Sequence, residues 1–179
     1  MTVKILIAIA VLVVVLAVVI ATRPSEFRVE RTASVAAPAP VVFAQVNDFH
    51  KWDAWSPYVK RDPNMKKSFE GAPAGVGAIY TWSGNHEVGE GRTTIIESRP
   101  SELIRIRLEF VRPFAGTSTA TFTFRPEGDR TAVSWTLDGR NSFPAKAMGL
   151  VMNMDKMIGD DFEKGLAQMK AIAEAAPRS

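Results

Sequence analysis

A chain of 179 residues with no cysteine has room for one sizeable core and an appendage, and it excludes disulfides, thiolate metal sites and cysteine nucleophiles. Lysine and arginine number 22 against 19 aspartates and glutamates, a formal charge of +3. So small and so interspersed an excess argues against nucleic acid as a partner.

Residues 5–22, ILIAIAVLVVVLAVVIAT, carry no charge and are aliphatic except for Thr22. As an α-helix they extend about 27 Å, close to the roughly 30 Å of a bilayer's hydrocarbon core. The run is longer than the apolar segment of a signal peptide, so residues 1–22 are expected to be an uncleaved transmembrane anchor. The competing reading is cleavage after Val19-Ile20-Ala21. Lys4 precedes the run, whereas Arg23, Arg28 and Arg31 follow it, interleaved with Glu26 and Glu30. That pattern leaves open which side of the membrane the rest occupies. Arg23-Pro24-Ser25 is a short linker, and residues 26–175 form the domain.

In the domain's first stretch, Phe27, Val29, Arg31, Ala33 and Val35 alternate with Arg28, Glu30, Thr32 and Ser34. This is a strand whose apolar face also carries one arginine. Residues 36–40 break it, and Pro40 opens a short helix from within its first turn. Asn47, Asp48 and Pro57 bound a helical region around HKWDAWSPY. From Met65 onward the pattern is hairpins. MKKSF, GAIYTW, GRTTIIES, ELIRIRLEF, TATFTF and TAVSWTL are rich in β-branched and aromatic residues. Gly, Pro, Asn and Ser clusters separate them. Ile104, Ile106, Leu108 and Phe110 oppose Arg105, Arg107 and Glu109, so each strand is wet on one face and apolar on the other. That is the mark of an antiparallel sheet covered on one side.

Residues 146–175 predict one long amphipathic helix. Val151, Met154, Ile158, Phe162, Leu166, Met169 and Ala173 recur at steps of three or four. Lys156, Asp160, Asp161, Glu163, Lys164 and Lys170 fill the other face, with Asp160 and Lys164 in the favourable i,i+4 order. Pro177 ends the helix and 176–179 is a tail. Met148, Met152, Met154, Met157 and Met169 crowd this stretch. Methionine repacks around varied apolar shapes, which suits either ordinary core packing or the wall of a ligand cavity.

The order is strand, short helices, six strands, long helix. With it come Val29-Glu30-Arg31, Ala37-Pro38 and Val42-Phe43, then Trp52-Asp53-Ala54-Trp55-Ser56-Pro57. The stretch from Gly75-Val76-Gly77 through Tyr80, Trp82 and Gly84-Asn85, and the one from Met154-Asp155-Lys156 through Gly159, Phe162, Gly165 and Leu166, complete the set. Together these resemble the START-like SRPBCC superfamily, and within it the polyketide cyclase/dehydrase group often found behind one N-terminal membrane helix. The resemblance covers about residues 26–174. It implies an α+β helix-grip (START/Bet v 1-like) fold, a seven-stranded antiparallel sheet wrapped around the C-terminal helix with a cavity between. It also implies apolar ligands such as lipids, sterols or polyketides; no cofactor is expected. No catalytic motif carries over residue by residue.

The residues offer little chemistry of their own. His50 and His86 are the two histidines, and neither has a partner at metal-ligand spacing. There is no nucleophile-elbow sequence. Gly75-Val76-Gly77 and Gly89-Glu90-Gly91 precede no helix, so they are read as sheet bulges rather than phosphate loops. Large rings are the better signal. Trp55, Tyr80, Trp82 and Phe110 are expected to line the cavity, as are Phe122, Phe124 and Trp135. Met154, Ile158 and Phe162 would line it from the helix. Tyr80, Asn85, Arg92 and Trp135 are the candidate polar groups.

Three functions fit these features. The leading one is a membrane-anchored binding domain for a hydrophobic small molecule or lipid. A polyketide cyclase or dehydrase is second, and a protein-interaction module with a vestigial cavity is third.

Overall fold

The computed structural model describes residues 2–176. Helix α1 (Thr2–Thr22) leads into strand β1 (Glu26–Val35). Helix α2 (Ala39–Asn47), a 3₁₀ turn (Phe49–Lys51), α3 (Trp52–Trp55) and α4 (Pro57–Arg61) follow. Six strands come next: β2 (Lys66–Gly71), β3 (Ala78–Ser83), β4 (Glu90–Arg99), β5 (Leu103–Arg112), β6 (Gly116–Glu127) and β7 (Arg130–Arg140). The helices α5 (Phe143–Met148) and α6 (Met154–Ala175) close the order. Every strand expected from alternation is present. Pro57, expected to end a helical region, instead opens α4 from its first position, where a missing N–H costs nothing.

The seven strands make one antiparallel sheet in the order β1-β7-β6-β5-β4-β3-β2, and α6 lies against β1, α2, α3 and α4. This is the helix-grip arrangement. Chain reversal brings the first strand beside the last, so Arg31 stands opposite Trp135 in the β1–β7 register. Directly opposed residues share a face. The β4–β5 register shifts between Glu90 and Gly91 and again between Ile95 and Glu97, as bulges do. Gly89 has φ +71°, and a Cβ there would lie 2.3 Å from the Arg112 carbonyl oxygen, so only glycine fits that bend.

The long helix differs from its expectation at one end. It begins at Met154, and Asn153 caps it by accepting the Lys156 N–H at 2.9 Å. An Asn side chain that serves the first turn in this way marks a start, not an interior position. Residues 149–153 connect α5 to α6, leaving Val151 85% exposed; Met148 belongs to α5 and Met152 to the connection. From Phe162 onward the stripe is as expected, with Phe162, Leu166, Met169 and Ala173 buried. Lys156 pairs with Asp160 at 2.8 Å, a different i,i+4 couple from the Asp160–Lys164 one. Pro177 and the rest of the tail beyond Ala176 lie outside the described residues.

Two glycines decide how closely α6 approaches the sheet. A Cβ on Gly159 would sit on the Arg31 guanidinium, and one on Gly165 would lie 2.9 Å from the Trp135 ring and 3.2 Å from Pro57. Arg31 therefore runs beneath α6, where its Nε donates to Glu163 at 3.0 Å and its Nη2 to Asp155 at 3.1 Å. The arginine on the apolar face of β1 is thus a clamp on the first turns of α6.

Residues Val3–Thr22 of α1 are long and apolar enough to cross a membrane, as a signal sequence also is. Their apolar side chains are exposed except Ile20, which is buried at the end where α5 packs on α1.

Both tyrosines have phenols held above the usual value of about 10. Burial raises Tyr58, assisted by the nearby Asp161 charge and opposed by Arg61; burial followed by the Asp53 charge raises Tyr80.

Two expectations follow. Gly165→Leu in the full chain should destabilise the fold by about 1–3 kcal/mol through overpacking, read as a lower thermal midpoint in detergent. The native phenols favour the neutral form, so their stabilisation is complete below pH about 10 and is lost as pH rises past it. Titration at the tyrosinate absorbance band should therefore show no ionisation near pH 10 until the chain unfolds; two phenols ionising there in folded protein would refute the burial.

Candidate ligand site

The apolar side of the sheet and the stripe of α6 meet in a continuous stack of rings. Phe122 on β6 stands opposite Trp135 on β7, and their rings stack with centroids 4.8 Å apart. On its other face Trp135 carries Phe162 of α6, nearly parallel at 8° and 3.9 Å away. Trp55 of α3 meets Trp135 edge-on at 5.7 Å and Phe122 at 6.2 Å. A second group spreads toward β3 and β5. Tyr80 and Trp82 are 6.0 Å apart, and Trp82 meets Phe110 edge-on at 5.9 Å.

Of the ten residues expected to line a cavity, Trp55, Tyr80, Trp82, Phe122, Phe124, Trp135 and Phe162 are buried in one cluster. Phe110 and Ile158 are partly buried against it. Met154 is apart, in a groove described below. Two of the four candidate polar groups point elsewhere. Arg92 is exposed on the wet face of β4. Asn85 is exposed in the β3–β4 turn, where its Oδ1 accepts the Glu87 N–H at 2.9 Å.

The indole nitrogens distinguish the rings. Trp52 and Trp55 donate to the Val46 and Gln45 carbonyls at the end of α2, each at 3.0 Å. Trp82 donates to Val88 at 3.3 Å. The indole N–H of Trp135, 4% exposed in the middle of the stack, has no acceptor among the described residues. An orphaned buried donor costs about 1–3 kcal/mol, and a buried tryptophan usually finds a partner. Trp135 is the exception among the four.

Beside the stack, α4 and α6 meet through charge. Asp161, assigned by its spacing to the wet face of the helix, is 4% exposed and accepts a short charge-assisted bond from Arg61. Tyr58 lies beneath the Arg61 guanidinium, 5.8 Å from ring centroid to Cζ. Spacing alone did not expose this pair, because Arg61 comes from a helix 100 residues away. Among the described residues no group of three or more histidines and carboxylates stands close enough to hold a metal ion.

Two cavities open outside the stack. One, of about 130 Å³, lies between the 3₁₀ turn and the β2–β3 hairpin beside His50 and Phe69, whose rings stack at 4.2 Å. The His50 Nδ1 is 2.9 Å from the Asp48 carboxylate. The larger, of about 530 Å³, lies where Arg23 and Pro24 face Lys146 and the α5–α6 connection, with Met154 among its lining residues.

Comparison with known proteins agrees with this architecture. The family described as polyketide cyclase / dehydrase and lipid transport matches residues 26–174. No curated protein matches the chain. Among solved structures, protein CV1439 from Chromobacterium violaceum is 18% identical, with a TM-score of 0.60 over 86% of this chain and 100% of its own. The Zhui aromatase/cyclase from a Streptomyces species is 17% identical, with a TM-score of 0.60 over 86% of this chain and 97% of its own. The Aha1 dimer from Colwellia psychrerythraea is 11% identical, with a TM-score of 0.60 over 83% and 97%. At such identities the structures attest the fold, while the family match covers most of the sequence: the chain belongs to the polyketide cyclase/dehydrase and lipid transport family.

Proposed function

We propose that this protein is a membrane-anchored binding domain for a hydrophobic small molecule or lipid bearing one hydrogen-bond acceptor, held between the sheet and α6. The observation that carries the reading is the unpaired indole N–H of Trp135, whose ring is packed by rings from α3, β6 and α6. A ligand oxygen delivered to that donor recovers its lost hydrogen bond, while the surrounding rings supply apolar contact.

Entry requires Phe162 to swing away, because its ring covers Trp135 at 3.9 Å. Gly159 and Gly165 bracket Phe162 in α6, and each interior glycine weakens a helix by roughly 0.5–1 kcal/mol relative to alanine. The segment that must yield therefore carries two helix-weakening residues. The anchor fits a poorly water-soluble ligand, since α1 would hold the domain where such molecules reside.

The interaction-module reading also has an observation behind it. The rings fill the space between sheet and helix, and Phe143, Val151 and Met152 stand exposed. The cyclase reading rests on the family alone, as Asp161 is the one buried carboxylate among the described residues and is tied to Arg61.

Tryptophan fluorescence of the full chain in detergent, titrated with fatty acids, sterols and aromatic ketones, decides between them. Acceptor-bearing ligands should bind, and Trp135→Phe should weaken them by about 2- to 12-fold, the equivalent of one net hydrogen bond, while leaving hydrocarbon binding unchanged. Absence of binding across the panel would discard the internal site in favour of the interaction module.

A further inference from the structure

The larger cavity lies where the domain, through α5, packs on the helix expected in the membrane. Helix α1 ends at Thr22, and the next two residues, Arg23 and Pro24, form one wall. Residues Gly149–Met154 form the other. The Lys146 Nζ donates to the Ala21 carbonyl at 3.3 Å, which fastens α5 to the last turn of α1. A bilayer's polar layer is roughly 5–8 Å deep on each side. If Thr22 leaves the hydrocarbon, a groove that begins one residue later lies within that layer.

The chemistry of the groove suits the same depth. Arg23 and Lys146 contribute positive charge, and Arg140 stands beside Glu26 in the strand register. Two cations, Arg23 and Lys146, and one carboxylate, Glu26, therefore line the groove itself. Around them large apolar side chains stand exposed beside the polar Ser142 and Asn153. Phe143 is 53% exposed, Val151 85% and Met152 45%. Apolar side chains around a cationic groove in a water-facing loop are unfavourable exposures, but at a lipid surface they match acyl chains below and phosphates above.

We infer that this groove seats an anionic glycerophospholipid from the leaflet in which α1 ends, with its phosphate on Arg23 and Lys146 and its upper acyl chains along Leu150, Val151 and Met152. The inference rests on α1 remaining in the membrane and is independent of any ligand at Trp135. Seating the lipid would fix the domain against the bilayer, with the far end of the sheet pointing away. Lys146 keeps two N–H groups for the phosphate beyond the one it gives to Ala21.

The absence of cysteine makes the test direct. Full-length Val151→Cys carries an environment-sensitive fluorophore, and the protein is placed in nanodiscs of equal phosphatidylcholine and phosphatidylglycerol. Asp129→Cys, at the far end of β7 and about 35 Å along the strand, is the control. The label at 151 should be quenched by brominated acyl chains, and that at 129 should not. Native mass spectrometry of protein released from the discs should show phosphatidylglycerol retained over phosphatidylcholine. Arg23→Gln or Lys146→Gln should each cut that retention about fivefold, near 1 kcal/mol per cation at an anionic surface. An unquenched label in protein that has entered the discs would overturn the inference while leaving the anchor intact. So would retention indifferent to head group or to either substitution. Loss of retained lipid to millimolar glycerol 3-phosphate would reassign the groove to a soluble phosphate ester. Failure to enter the discs would remove the anchored reading, and this inference with it.

Discussion

Helix α6 lies against β1 and meets the Trp135 side chain of β7, and both contacts depend on two missing side chains. Arg31 and Trp135 face each other across the register and both point at the helix. One is charged and one is the bulkiest residue available, so an ordinary helix surface would ride over them. Gly159 and Gly165 create notches that receive each, and Phe162, midway between, is pressed flat on the Trp135 ring. The glycines cost helix stability, which the ring stack and the clamp to Asp155 and Glu163 must offset. The fold and the proposed site therefore share residues. The helix segment weakened to admit Trp135 is also the segment that covers its unsatisfied N–H.

Much of this was legible in the sequence because it depended on period. Alternation, residue type and turn chemistry placed the strands, although β2 is exposed along its whole length rather than on one face, and the three-and-four spacing placed Phe162, Leu166, Met169 and Ala173 on the buried side of α6. Even Arg31 was visible as an intruder on an apolar face. Its meaning was not, since Asp155 and Glu163 lie more than 120 residues away, and local pattern carries no information about such partners. Asp161 failed for the same reason: helical spacing put it in water, and Arg61 from α4 put it inside. The start of α6 was misjudged because apolar Val151 continued the period, whereas a single capping asparagine outweighed it.

The candidate site shows where residue type stops being informative. Four tryptophans look equivalent in the sequence, and all four indoles carry the same donor. Three reach a carbonyl within the fold and one does not, a difference set by backbone geometry rather than by any neighbouring residue in the chain. The bias toward large rings was readable; the one ring with a polar group still to satisfy was not.

The two sites proposed here make different demands on the membrane. A ligand at Trp135 must leave the lipid phase entirely, and its binding trades one apolar environment for another. Little hydrophobic energy is gained in that exchange, so the hydrogen bond to the indole would carry most of the selectivity. A lipid in the groove leaves its chains where they were and gives only its head group to Arg23 and Lys146. That contact costs little desolvation of apolar surface and is electrostatic in origin, so salt should weaken it. An internal site on a closed core and a surface seat beside the anchor are thus complementary. The proposed seat would hold the domain at the lipid surface, and the proposed internal site would select by the one group that hydrocarbon cannot satisfy.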